Sequence, residues 1–112
     1  MAYDEELADR IREALGPERG VSEQKMFGGL AFMLGGHLTV AASGQGGLLV
    51  RVDPERAEQL LADPGVGPME MRDREMRGWL RVDEGAVRTT RQLARWVRLA
   101  TTFTRSLPPK KR

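Results

Sequence analysis

Residues 26–52 read Met26-Phe27-Gly28-Gly29-Leu30-Ala31-Phe32-Met33-Leu34-Gly35-Gly36-His37-Leu38-Thr39-Val40, then Ala41-Ala42-Ser43-Gly44-Gln45-Gly46-Gly47 and Leu48-Leu49-Val50-Arg51-Val52. Short apolar runs cut by paired glycines describe an antiparallel meander. A first strand begins near Glu23 and ends at Met26-Phe27, where Gly28-Gly29 permits a bend or close packing without a Cβ. Leu30 to Leu34 is nearly continuous in its apolarity, which predicts a central strand or one covered on both faces. Gly35-Gly36 suits a two-residue hairpin turn, which needs positive φ at its central positions. His37 to Ala41 forms the next strand, Ser43 to Gly47 a looser hairpin loop, and Leu48 to Val52 closes the meander.

Upstream, Leu7, Ile11, Ala14 and Leu15 make one apolar stripe on a helix from Asp4 to Leu15, with acids in its first turn opposing the dipole. Gly16-Pro17 stops it, glycine in the C′ role and proline unable to continue. Downstream, Asp53-Pro54-Glu55 is a helix start: Asp as N-cap, Pro at the first helical position, Glu in the first turn. That helix turns Ala57, Leu60 and Leu61 inward and ends by Asp63-Pro64-Gly65. Pro68 to Met71 and Gly78 to Val82 are further strands. The alternating charges of Arg72 to Arg77 predict a solvated turn or hairpin tip between them.

Asp83 is the expected cap of a last helix running to about Leu107. Its apolar stripe is Leu93, Trp96, Val97, Ala100, Phe103 and Leu107, and Arg88, Arg91, Arg95, Arg98 and Arg105 cluster on nearly the opposite side. Residues 108–112, Pro-Pro-Lys-Lys-Arg, cannot extend the helix and read as a disordered basic tail, leaving 1–107 as one domain.

Composition sets the outer bounds. A chain of 112 residues with 40% hydrophobic and 30% charged residues is that of one soluble globular domain. It has no cysteine, so disulfides, thiolate chemistry and cysteine-ligated metal are excluded. The acidic N-terminus lacks the apolar stretch of a signal peptide, and no run nears the roughly 20 apolar residues that span a bilayer. The expectation is a cytoplasmic protein with no membrane association. The net charge of +2 hides an asymmetry, since from Glu84 onward the chain carries +7 and the rest −5. An acidic body with a basic end attracts an anionic partner or the acidic face of another copy.

Catalytic and cofactor chemistry finds little footing. A Walker A loop needs Gly-Lys-Ser/Thr, and none of Lys25, Lys110 and Lys111 follows a glycine. Gly44-Gln45-Gly46 leads into a strand, whereas a dinucleotide fingerprint opens a helix. His37 is the single histidine, and no nucleophile-elbow pattern surrounds Ser22, Ser43 or Ser106. Zinc would need further nitrogen or sulfur ligands. Asp73 and Glu75 sit among Arg72, Arg74 and Arg77, which makes them a solvated charge ladder rather than an acid–base pair or cation site. No enzyme, no metal and no cofactor is therefore expected. Met26, Met33, Met69, Met71 and Met76 read as core residues beside Phe27, Phe32 and Trp79, with a methionine-lined groove as the alternative. For the arginine face the options are a solvated surface, protein or self-association, and nucleic-acid phosphates. It lacks interleaved aromatics for base stacking and a helix-turn-helix partner.

Met26-Phe27-Gly28-Gly29, the Gly35-Gly36 turn and the Leu48-Leu49-Val50-Arg51-Val52-Asp53-Pro54 strand exit resemble the N-terminal domain of TfoX/Sxy regulators. The resemblance covers about Tyr3 to Leu107. It implies an α+β single-domain sandwich, a curved antiparallel sheet flanked by helices in the order α-β-β-β-β-α-β-β-α, similar to secretion-chaperone-like folds. Met26, Phe27, Gly28 and Gly29 are its structural motif. Two-domain members look like bacterial regulators of DNA-uptake competence that work with a cyclic-AMP-dependent transcription activator. The second, helical domain is not in this sequence, so the expectation is a stand-alone regulatory or protein-interaction module. A weak nucleic-acid-binding accessory protein is the alternative.

Overall fold

The computed structural model describes residues 3–26, 28–71 and 74–108, with backbone alone at 70, 71 and 74–77. Its elements are α1 (Glu5–Ala14), β1 (Val21–Met26), β2 (Gly29–Leu34), β3 (His37–Ala42), β4 (Leu48–Arg51), α2 (Pro54–Leu60), β5 (Val66–Met71), β6 (Arg74–Val82), a 3-10 turn (Glu84–Val87) and α3 (Thr90–Arg105). The order α-β-β-β-β-α-β-β-α is the expected one. The strands form one open antiparallel sheet, β1-β2-β3-β4-β6-β5.

Local chemistry accounts for the element ends. Asp4 caps α1, its Oδ1 accepting from the Glu6 and Leu7 amides at 2.9 and 3.2 Å. Gly35 and Gly36 have φ of +60° and +85°, the geometry of a primed hairpin turn, and set β2 against β3. Gly29 is required for another reason, since a Cβ there would lie 2.2 Å from the Ala42 carbonyl oxygen across the β2–β3 pair. Asp53 caps α2 and Pro54 occupies its first turn, as the sequence predicts.

Four expectations are corrected. β1 starts at Val21, ahead of Glu23, because pairing with β2 runs from Val21↔Leu34 to Met26↔Gly29. Gly16 is not in the left-handed region, and the chain leaves α1 through tight turns, Gly16 N–H to the Glu13 carbonyl and Glu18 N–H to that of Leu15. The backbone of Arg74 to Arg77 belongs to strand β6, not to a turn, and pairs with β5. Charge alternation is as compatible with a two-sided strand as with a tip.

The last helix also begins later than Asp83. Asp83 precedes the 3-10 turn and makes no side-chain cap bond. Thr89 Oγ1 accepts from the Gln92 amide at 3.0 Å while Gln92 Oε1 accepts from the Thr89 amide at 2.9 Å. This reciprocal capping box satisfies two orphan groups and fixes the start at Thr90. Arg88 therefore lies outside the helix.

The helices share one face of the sheet. α3 packs across β2, β3 and β4, α1 on α3 and β3, and α2 on β6. Between the layers lie Phe32, Val40, Leu48, Val50, Leu80 and Val82 from the strands, with Ile11, Leu60, Trp96 and Val97 from the helices. Each such side chain contributes about 1.5–3 kcal/mol on burial. A register shift at Phe32/Met33 leaves Thr39 as the extra residue on β3. Both Thr39 and Val40 then face the helices, the Thr39 hydroxyl donating to Thr104 Oγ1 of α3 at 3.3 Å.

The opposite face carries its own cluster. Ala31, Ala41, Leu49 and Met69 are buried, with Met26, Leu38 and Trp79 packed at their edges, and every member comes from a strand. Leu30 to Leu34 is thus apolar because both faces of β2 need it.

Candidate functional site

The five arginines picked out from the sequence do not form one uniform stripe. Arg88 stands between the 3-10 turn and α3, and the backbone there is anchored from α1: Arg10 Nη2 donates to the Val87 and Arg88 carbonyls at 2.7 and 3.1 Å. Arg95 reaches Asp63 beyond α2, Nη1 to Oδ2 at 2.9 Å, and lies over the Trp96 ring at 4.9 Å. Arg105 grips Glu18 through both Nε and Nη2. Two of the five charges are thus already matched by carboxylates. Arg88, Arg91 and Arg98 are exposed and make no ion pair among the described residues. Arg91 and Arg98 are two turns apart on α3, about 10 Å along its axis.

Arg98 opens onto a groove of about 460 Å³ between α2 and α3. Leu60 of α2 and Leu99 and Phe103 of α3 supply its apolar wall, beside Val52. Arg56, in the first turn of α2, and Arg95 and Arg98 supply its cations, with Asp53 as its acid. Arg56 was not singled out from the sequence. On its own helix it is an ordinary exposed residue, and it acquires company only through the approach of α3. Arg51 passes the end of the sheet below, its guanidinium 5.5 Å from the Phe103 ring centre and 5.8 Å from that of Trp79. A neighbouring groove of about 550 Å³ lies across Arg95, lined by Asp63, Asp83, Gln92 and Trp96.

Three of the four residues on which the resemblance rests, Met26, Gly28 and Gly29, lie where β1 gives way to β2. Met26 ends β1 and packs into the helix-free cluster, Gly28 has φ +74°, and Gly29 leaves no room for a Cβ beside the Ala42 carbonyl, as described above. Phe27 lies outside the described residues, as do Asp73 and the side chains of Arg74, Glu75, Met71 and Met76. The family model of the TfoX N-terminal domain matches residues 13–104. The chain belongs to that family. The TfoX N-terminal domain match takes in every element from the end of α1 to nearly the end of α3. No curated protein and no solved structure matches the chain.

Other expected features fall at the margins of these surfaces. His37 Nε2 lies 2.6 Å from the Pro108 carbonyl oxygen, and since that oxygen can only accept, Nε2 carries the proton. The contact ties the exit of α3 to the β2–β3 turn. Residues 109–112, with Lys110, Lys111 and Arg112 of the basic tail, lie outside the described residues. Among the described residues no group of three or more His, Asp or Glu side chains is placed to hold a metal, and no helix is long and apolar enough to cross a membrane.

Among the described residues, the Glu23 carboxylate titrates below its usual range. Arg12 Nε and Nη2 hold the two oxygens of Glu23 at 2.7 and 2.8 Å. This hydrogen bonding, aided by charge attraction and opposed by desolvation, lowers the Glu23 pKa. The pair pins α1 to edge strand β1 and lies away from the groove.

Proposed function

We propose that this TfoX N-terminal domain protein is a non-enzymatic regulatory module of the cytoplasm, and that it acts by holding a protein partner on the helix-free face of its sheet. The carrying observation is the composition of that face: Ala31, Ala41, Leu49 and Met69 are buried there, and Met26, Leu38 and Trp79 stand half-buried beside them, all supplied by strands. Met and Trp are enriched where proteins meet, Met for its adaptable shape and Trp for its large apolar area. Family membership supports a role of the competence-regulator kind. The arginine surface supports nucleic-acid binding less well, because Arg95 and Arg105 are matched by Asp63 and Glu18.

Site-specific photo-crosslinking in cells tests the reading. A benzophenone side chain at Leu38 samples the helix-free face, and one at Arg91 samples the arginine surface. A discrete protein adduct from position 38, with none from 91, is the expected result. A nucleic-acid adduct from position 91 with nothing at 38 would transfer the function to α3. An adduct of twice the chain's own mass from position 38 would identify the partner as a second copy.

A further inference from the structure

The groove between α2 and α3 differs from its neighbour across Arg95 in how its charge is left. Its neighbour across Arg95 sets Asp63 and Asp83 against a single arginine, and that arginine is already bonded to Asp63. In the α2–α3 groove, Arg56 and Arg98 make no ion pair among the described residues. The one acid present, Asp53, is committed to the start of α2, its Oδ1 accepting from the Glu55 amide at 2.9 Å. Two arginines without an ion pair therefore stand against one carboxylate, and the rim keeps an excess of positive charge.

Beneath that rim the wall is apolar. Leu60 is buried at the root, and Leu99 and Phe103 are half-buried, showing part of their surface to the groove. The volume of about 460 Å³ falls within the roughly 300–1,000 Å³ typical of small-ligand sites. A nucleic-acid phosphate would use the arginines and leave the apolar wall wet. A neutral apolar molecule would use the wall and leave the guanidinium groups without a counter-charge. A ligand with both parts satisfies both, and a guanidinium matches a carboxylate with two parallel hydrogen bonds.

We propose that the α2–α3 groove binds a small amphiphilic carboxylate of the acyl or aryl class, its apolar body against Leu60, Leu99 and Phe103 and its carboxylate held by Arg56 and Arg98. The site belongs to the helix layer, on the other side of the sheet from the partner face, so it stands or falls independently of that reading. It gives the module a place to sense a small molecule while a protein occupies the opposite surface.

The test is a 15N–1H NMR titration of the full chain with 4-phenylbutyrate. 4-Phenylbutanol, which lacks the charge, and acetate, which lacks the body, run in parallel. Saturable shifts at the amides of Leu60, Arg98, Leu99, Thr102 and Phe103, at about millimolar affinity for a ligand this small, are expected. Each half-ligand should bind about tenfold more weakly or worse. R56Q/R98Q should weaken phenylbutyrate about tenfold with the spectrum otherwise intact. Thr102→Trp, made at an exposed helix position lining the groove, should abolish binding with both arginines retained.

Equal affinity for phenylbutanol, or no loss in R56Q/R98Q, would overturn the proposal. So would an absence of shifts, or shifts centred on Leu38, Leu49 and Trp79. An acidic peptide that saturates the same amides far more tightly than phenylbutyrate would replace the small ligand with a peptide.

Discussion

The two faces of this sheet are built from the same strands and are not equivalent. Alternation sends Leu30, Phe32, Val40, Ala42, Leu48 and Val50 to the helices, and Ala31, Ala41 and Leu49 to the other side. The helix side is filled by large side chains, with Phe32, Val40 and Val50 each at 0% exposure, because three helices must find complementary shape there. The other side has a smaller cluster, Ala31, Ala41, Leu49 and Met69 buried, with Met26, Leu38 and Trp79 half-buried beside them. The helix side carries the large cluster that joins the two layers, and the other side carries a smaller one built from strand residues alone.

Substitutions can break or sharpen that contrast. Phe32→Ala, at the centre of the helix side, should lower stability by about 3–5 kcal/mol in urea unfolding, because it removes a fully buried ring and leaves a cavity. Gly29→Ala should cost about 1–3 kcal/mol, since its Cβ would meet the Ala42 carbonyl and force β2 and β3 apart. Leu38→Ala, half-buried on the helix-free side, should cost about 1–2 kcal/mol and reduce the position-specific crosslinking described above. If Leu38→Ala destabilised as much as Phe32→Ala, the division of labour between the faces would be wrong.

Two smaller effects probe the edges of the helix layer. Thr89→Ala removes half of the capping box and should cost about 1 kcal/mol, read as a lower thermal midpoint. Glu23→Gln should have the smallest effect, and one that depends on pH. The Glu23 pKa is depressed in the fold, chiefly by the Arg12 hydrogen bond. Its contribution is therefore complete above the ordinary carboxylate range and is lost as pH falls through the lowered value. The wild type should lose stability on acidification over that window more steeply than Glu23→Gln. Because both side chains are substantially exposed, added salt should shrink the difference.

How much of this was legible depended on distance along the chain. The β1–β4 meander could be read because its pairings are local and its turns are marked by Gly35-Gly36 and by the glycines of 44–47. Strand β6 was read short, because Arg74 to Arg77 interrupt any simple apolar pattern, whereas Gly28-Gly29 reads from the sequence as allowing a bend or close packing without a Cβ. What packs against Gly29 is a carbonyl on the next strand, that of Ala42. The start of α3 was misplaced because Asp83 satisfies the composition of a cap, whereas Thr89 and Gln92 satisfy its geometry as well. The candidate groove was legible in one half only. Arg95 and Arg98 stood out on an amphipathic helix, but Arg56 joined them through tertiary packing, and the pairing of Arg95 with Asp63 could not be inferred from either local segment.

The strand order β1-β2-β3-β4-β6-β5 has a kinetic consequence. Four of its five pairings join consecutive strands, and β4–β6 alone, four residue pairs from Leu48↔Val82 to Arg51↔Trp79, reaches past α2 and β5. Two ribbons that can each form locally are zipped along that short seam, whose closure carries the loop entropy of the intervening segment. α3 leaves the second ribbon and lies across β2, β3 and β4 of the first. It works as a clasp, so a seam that is the last part of the sheet to close is also fastened from above.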